Sequence, residues 1–272
     1  MPSLDLEHPM LELHQFEASH YAEKVRLILD YKGLAYTKVE VVPGIGQLEL
    51  FQKTGQRQVP VLKDEDIYIA DSTAIAEYLD RKYPEKPVIP TDPKQKALCM
   101  IMEQWADDVL GLDARKGLIA CLSQNPNFRT AFLPAITPPP VKSLLSGLPV
   151  NLLGNLGAPV GLGADSVRET IKHDLRYLSA ILADQAYLLG DQPTLADFAV
   201  AGLTMYIKVP MGSYLNLPEG IKGEGVPGVS DSPEFDAFWA WRDKLYADFR
   251  DGTATTAVSN SDSQRPTSIS ID

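Results

Sequence analysis

Between residues 11 and 16 apolar and polar side chains alternate, Leu11 and Leu13 against Glu12 and His14, which predicts a short half-buried strand. The period then lengthens. Tyr21, Val25, Ile28 and Leu29 recur at helical spacing, with Glu23, Lys24, Arg26 and Asp30 on the other face. A helix is therefore expected from about residue 21 to 32, ended by Gly33. Residues 36–42 are β-branched and aromatic, a second strand. Residues 43–57 are irregular apart from a short helical stretch at 48–52. Residues 58–79 then read as a strand entered through Val59-Pro60, an acidic turn at 64–66, a second strand at Ile67–Ala70, and a helix opening at Asp71-Ser72. That helix carries an apolar ridge at Ile75, Tyr78 and Leu79.

A proline-punctuated linker at 84–93 separates this half from one whose periods are almost all helical. Leu98, Ile101, Met102, Trp105, Val109 and Leu112 make one long apolar stripe, and residues 114–123 add a short helix. Residues 124–165 break the pattern with seven prolines and five glycines. No charge occurs between Lys142 and Asp165, yet so many helix breakers argue against a membrane span. This insertion is expected to pack through its leucines, over a cleft or a partner subunit. Val167, Ile171, Leu175, Leu178 and Leu182 mark a further helix. Thr194 followed by Asp197 is a capping box ahead of an apolar helix running to about residue 207. After a Gly/Pro-rich loop at 209–228, residues 235–249 read as a last helix. Residues 251–272, rich in Ser, Thr, Asn and Asp, are expected to be a disordered tail.

The 272 residues suffice for two modest domains with real cores. A net charge of −11 without any basic stripe excludes a nucleic-acid binder. The two cysteines, Cys99 and Cys121, form neither a C-x-x-C nor a disulfide framework, which fits a reducing compartment. The N-terminus lacks the basic and apolar pattern of a signal peptide, so a cytoplasmic location is expected. The four histidines show no metal spacing, and no metal is expected.

The chemistry concentrates at two helix starts. Asp71 and Ser72 are both favourable N-caps, and a helix N-terminus beside a hydroxyl suits a carboxylate. Pro60 sits where a strand begins, at an X-Pro bond able to adopt the cis form. Ser19 directly precedes the first helix, where serine is itself a preferred cap.

V-P-V-L, a short hairpin and D-S-x-A-I-x-x-Y-L together resemble the second half of the thioredoxin-like domain of glutathione transferases. The G-x-x-x-T-x-A-D at 190–197 is similar to the helix start in that family's helical domain. The resemblance implies an α/β thioredoxin-like domain at 10–83, the linker, and an all-α domain at 94–250 carrying the 124–165 insertion. It implies glutathione as co-substrate, with Val59 before the cis-Pro60 pairing with its cysteinyl backbone. Asp71 and Ser72 would hold the γ-glutamyl end. Ser19 falls where serine-type members place the hydroxyl that stabilises the thiolate, while no tyrosine stands near Gln15 as in the tyrosine type. Phe16, His20, Met102 and Trp105 would form a pocket for a small hydrophobic electrophile. The expected activity is conjugation, isomerisation or reduction by a homodimer; the alternative is a non-catalytic ligand carrier or interaction module of the same fold. Three departures stand out. Asp71 replaces the commoner Glu or Gln, and His20 stands where Pro is common, as an exposed turn residue or a base flanked by Glu17 and Glu23. The segment before Val59 is two residues longer than usual, so the glycyl carboxylate contact stays open among Lys53, Gln56, Arg57 and Gln58.

Overall fold

The computed structural model describes residues 11–41, 45–124, 126–131, 164–250 and 254–256, with the single positions 140 and 143. Most of the 124–165 insertion therefore lies outside the described residues. Strands β1 (Leu11–Gln15), β2 (Tyr36–Glu40), β3 (Val61–Asp64) and β4 (Ile67–Ala70) lie in the order β4-β3-β1-β2. β1 runs parallel to β2 and antiparallel to β3. Alternation buries Leu11 and Leu13, while Glu12 reaches Lys63 across the ladder at 2.6 Å. Part of the stretch expected to be disordered instead adds a strand: β5 (Ala254–Thr256) pairs parallel with β2 at the sheet edge.

Helices α1 (His20–Lys32), α2 (Ile45–Thr54) and α3 (Ser72–Lys82) complete the first half. The second half is helical: α4 (Pro93–Trp105), a π-helical turn (Ala106–Leu110), α5 (Gly111–Gln124), α6 (Pro126–Ala131), α7 (Ala164–Ile181), α8 (Leu195–Leu203) and α9 (Asp236–Phe249). The observed order is thus a thioredoxin-like α/β half followed by an all-α half. α1 packs on α8, α3 and α9. A Cβ at Gly202 of α8 would stand 2.7 Å from Lys24 N, so only glycine lets these two helices meet backbone to backbone.

That central position overturns the expectation of a polar outer face on α1. Glu23, Lys24, Arg26 and Asp30 are all buried. Lys24 pairs with Glu103 and Asp107 on one side, and Arg26 and Arg250 with Glu23 and Asp30 on the other. Buried charges persist only when paired, and each here has a partner.

The apolar stripe on α4 and α5 also faces otherwise than expected. Ile101 is 67% exposed, Leu98 and Leu112 44% and Val109 40%. The inward ridge is Cys99, Glu103, Ala106 and Leu110, at helical spacing and mostly small. Small side chains let α4 approach α8, and Glu103 is admitted because Lys24 meets it there.

Candidate active site

At the carboxyl end of β1 a cleft of about 540 Å³ opens between the two halves. Its walls come from widely separated segments: the β1–α1 loop, α2, the chain before β3, the start of α3, the π-helical turn, α5, and the chain after α8. Such a crevice at strand carboxyl ends is the usual place for a ligand in an α/β fold.

Ser19 is the N-cap of α1, with φ −77° and ψ 120°, and its Oγ accepts from Ala22 N at 3.2 Å. The hydroxyl oxygen is thereby held on the cleft lining, and among the described residues no acceptor takes its proton. Asp71 caps α3 with φ 79°, a left-handed conformation uncommon outside glycine, and its Oδ1 accepts from Thr73 N at 2.9 Å and Ala74 N at 3.0 Å. The carboxylate itself is exposed and lines the cleft. Ser72 beside it is buried, its Oγ accepting from Lys24 Nζ at 3.2 Å and lying 3.4 Å from Asp107 Oδ2. Val59 and Pro60, joined by a cis peptide bond, line the opposite wall with Gln56 and Gln58.

Ser19, Val59, Pro60, Asp71, Ser72, Phe16 and His20 therefore lie on one cleft. Met102 and Trp105 do not: both sit half-buried against the core on α4, away from its lining. Lys53 and Arg57 are likewise outside it, and Arg57 lies over the Phe51 ring at 5.1 Å.

His20 departs from the expected exposed turn. It opens α1, is 1% exposed, and stacks on Tyr206 with ring centroids 4.0 Å apart. Its Nδ1 donates to Leu203 O at 3.4 Å, and the buried Nε2 has no partner among the described residues. Burial, reinforced by the Arg115 cation, pushes the imidazole down to about 3. The carboxylates expected to flank it are engaged elsewhere: Glu23 with Arg26 and Arg250, and Glu17 with Gln15, Lys38 and the Asn216 amide.

Several cleft residues escaped the sequence reading. Tyr21 packs half-buried against the core as its spacing implies, but it also lines the cleft and donates its hydroxyl to Asp107 O at 2.8 Å. Asp107 and Asp108 project from the π-helical turn, a distortion often found at functional sites. Burial holds the Asp107 carboxyl above the usual carboxylate range, although Lys24 pulls it down. Leu112, Arg115, Tyr206 and Gln47 complete the lining. Two adjacent aspartates inside an apolar run were the one available signal.

Among the described residues no cluster of three or more His, Cys, Asp or Glu could hold a metal, and no helix is long and apolar enough to cross a membrane. The chain matches the family description "Glutathione S-transferase, N-terminal domain" over residues 13–87 and "Glutathione S-transferase, C-terminal domain" over 143–244. Glutathione S-transferase 1 of Dianthus caryophyllus is 41% identical over 91 residues, 32% of this chain and 41% of that protein. Glutathione S-transferase Z2 of Arabidopsis thaliana is 38% identical over 97 residues, 35% of this chain and 44% of that protein. The chain thus spans less than half the length of these curated relatives. Beta-etherase LigF from Sphingobium sp. strain SYK-6 superposes with a TM-score of 0.63 at 20% identity, covering 88% of this chain and 95% of that one. At that identity the likeness is one of fold.

Proposed function

Because this chain belongs to the glutathione S-transferase family in both of its halves, we propose that the cleft binds glutathione and turns its thiol on a small electrophile. The observation that carries this reading is the convergence of Ser19, Val59, Asp71 and Ser72 on one cavity of about 540 Å³.

In this reading the backbone of Val59 pairs with the cysteinyl residue. The exposed Asp71 carboxylate takes the γ-glutamyl ammonium, and Ser72 with the amides of the α3 N-terminus takes its carboxylate. The longer segment before Val59 offers Gln56 and Gln58 to the glycyl end, as neutral donors rather than a cation. The sulfur then lies near Ser19. A free thiol ionises near pH 8.5, and only the thiolate is a good nucleophile. The Ser19 hydroxyl, held by Ala22 N–H, donates its proton to the sulfur, and the α1 N-terminus adds a favourable field. The thiol proton leaves to water. The sulfur bonds to the electrophilic carbon, whose leaving group departs with its electron pair.

The site is of the serine type in this account. Tyr21 is a phenol on the cleft, but its proton is given to Asp107 O, and burial pushes its pKa up, which disfavours the phenolate. The exposed apolar face of Leu98, Ile101 and Val109 supports a homodimer built through α4 and the turn that follows it, and the location proposed for it is the cytoplasm.

The test is calorimetric titration of glutathione into the intact chain, followed by turnover of a panel of aryl and alkyl halides. Micromolar to low-millimolar binding, together with turnover that falls in Ser19→Ala, is expected. Absence of glutathione binding would remove the proposal.

A further inference from the structure

Arg115 has no assigned task in the account above. It sits on α5 and lines the cleft, its charge acting on the His20, Tyr21 and Tyr206 side chains, and among the described residues it makes no hydrogen bond or ion pair. An arginine on a concave wall without a partner is suited to bind an anion bidentately. The question is which anion.

Asp107 lies near the Ser72 hydroxyl, and Arg115 follows it by eight residues. Along the helical run, that sets the two backbone positions on the order of 10 Å apart, with Arg115 on a later turn of the same wall. The glycyl end runs along Val59 toward Gln56 and Gln58, on the wall contributed by the other half. Arg115 instead shares its part of the cleft with Leu112, one turn earlier, and with the stacked His20 and Tyr206 rings. The same lining also holds the Tyr21 phenol and, one turn before Leu112, the exposed Asp108 carboxylate. Burial keeps the imidazole neutral, so Arg115 is the only cation among the described lining residues.

We propose that the second substrate is an electrophile bearing a carboxylate, anchored by Arg115 with its apolar body against Tyr206 and Leu112. This rests on the glutathione reading of the same cleft. The experiment uses two conjugates of equal shape, S-(4-carboxybenzyl)glutathione and S-(4-carbamoylbenzyl)glutathione, titrated calorimetrically into the full chain and into Arg115→Gln and Arg115→Lys. Their parent halides, 4-(chloromethyl)benzoate and 4-(chloromethyl)benzamide, are compared in turnover, each relative to its uncatalysed rate. In that reaction the sulfur–benzyl bond forms and chloride leaves with the electron pair. The wild type is expected to favour the carboxylate by about tenfold or more, Arg115→Gln to bring the ratio near one, and Arg115→Lys to restore part of it. Equal ratios in wild type and Arg115→Gln, with glutathione still bound, would overturn this inference alone. A loss of plain glutathione affinity in Arg115→Gln as large as the loss for the carboxyl conjugate would overturn it too, by making Arg115 a glutathione contact. If the wild type binds neither conjugate nor glutathione, both readings fall.

Discussion

Two helix starts in this molecule look alike in sequence and work in different surroundings. At α8, Thr194 and Asp197 form a capping box sealed in the core: Asp197 takes Leu188 N at 2.7 Å and both the amide and hydroxyl of Thr194 at 2.8 Å. At α3, Asp71 takes two amides of its own helix, but the outer side of the carboxylate faces a cleft. Ser19 at α1 is of the second kind. The same local device therefore closes a core in one place and presents polar groups to a ligand in another. What stands in front of the cap decides which.

The largest effect that can break this contrast is at the buried cap. Asp197→Ala leaves the Leu188 and Thr194 amides buried without acceptors, and urea unfolding should show a loss of about 3–5 kcal/mol. Glutathione affinity of the folded fraction should stay as it was. A ligand effect without a stability effect would erase the distinction drawn between the two caps.

Next comes the support under the Ser19 loop. Despite the upward push of burial, Arg26 and Lys38 bring the Glu17 carboxyl from 4.5 down to about 2. A depressed folded value means stability present above about pH 4.5 and lost as the pH falls from there toward 2. The wild type should lose on the order of 3 kcal/mol over that window through this group. Glu17→Gln, compared by thermal unfolding across the same acid series, should show a correspondingly flatter profile.

At the cleft, Ser19→Ala should cut glutathione-dependent turnover by about tenfold or more, while costing about 1 kcal/mol of stability through the lost cap. Stability loss with turnover intact would make Ser19 a cap and nothing else. Asp71→Ala should weaken glutathione by about tenfold with a stability change near 1 kcal/mol, read by titration and melting together. Asp71→Asn keeps a capping oxygen and removes the charge, so it should keep the stability and still lose affinity.

The elements themselves were largely legible because their signals are local. Alternation placed β1, the period placed α1, Gly33 stopped it, and Thr194 with Asp197 started α8 within a residue or two. Ser19, Val59, Asp71 and Ser72 were visible as candidates for the same reason. The failures share another cause. Reading charge as surface put Glu23, Lys24 and Arg26 outside, whereas Lys24 finds Glu103 79 positions away and Arg250 finds Glu23 227 positions away. Reading large apolar side chains as core put Ile101 and Leu98 inside, whereas Cys99 and Ala106 are the residues small enough to admit α8.

Local periodicity and capping chemistry, both set by neighbours within a turn or two, determined where helices and strands begin and which side chains stand at their ends. The tertiary structure alone decided that the starts of α1 and α3 open onto one cleft, that Asp107, Arg115 and Tyr206 share it, and that Met102 and Trp105 do not. Long-range pairing is the reason: a charge or a cavity wall gains its meaning from a partner that no short window of the chain contains.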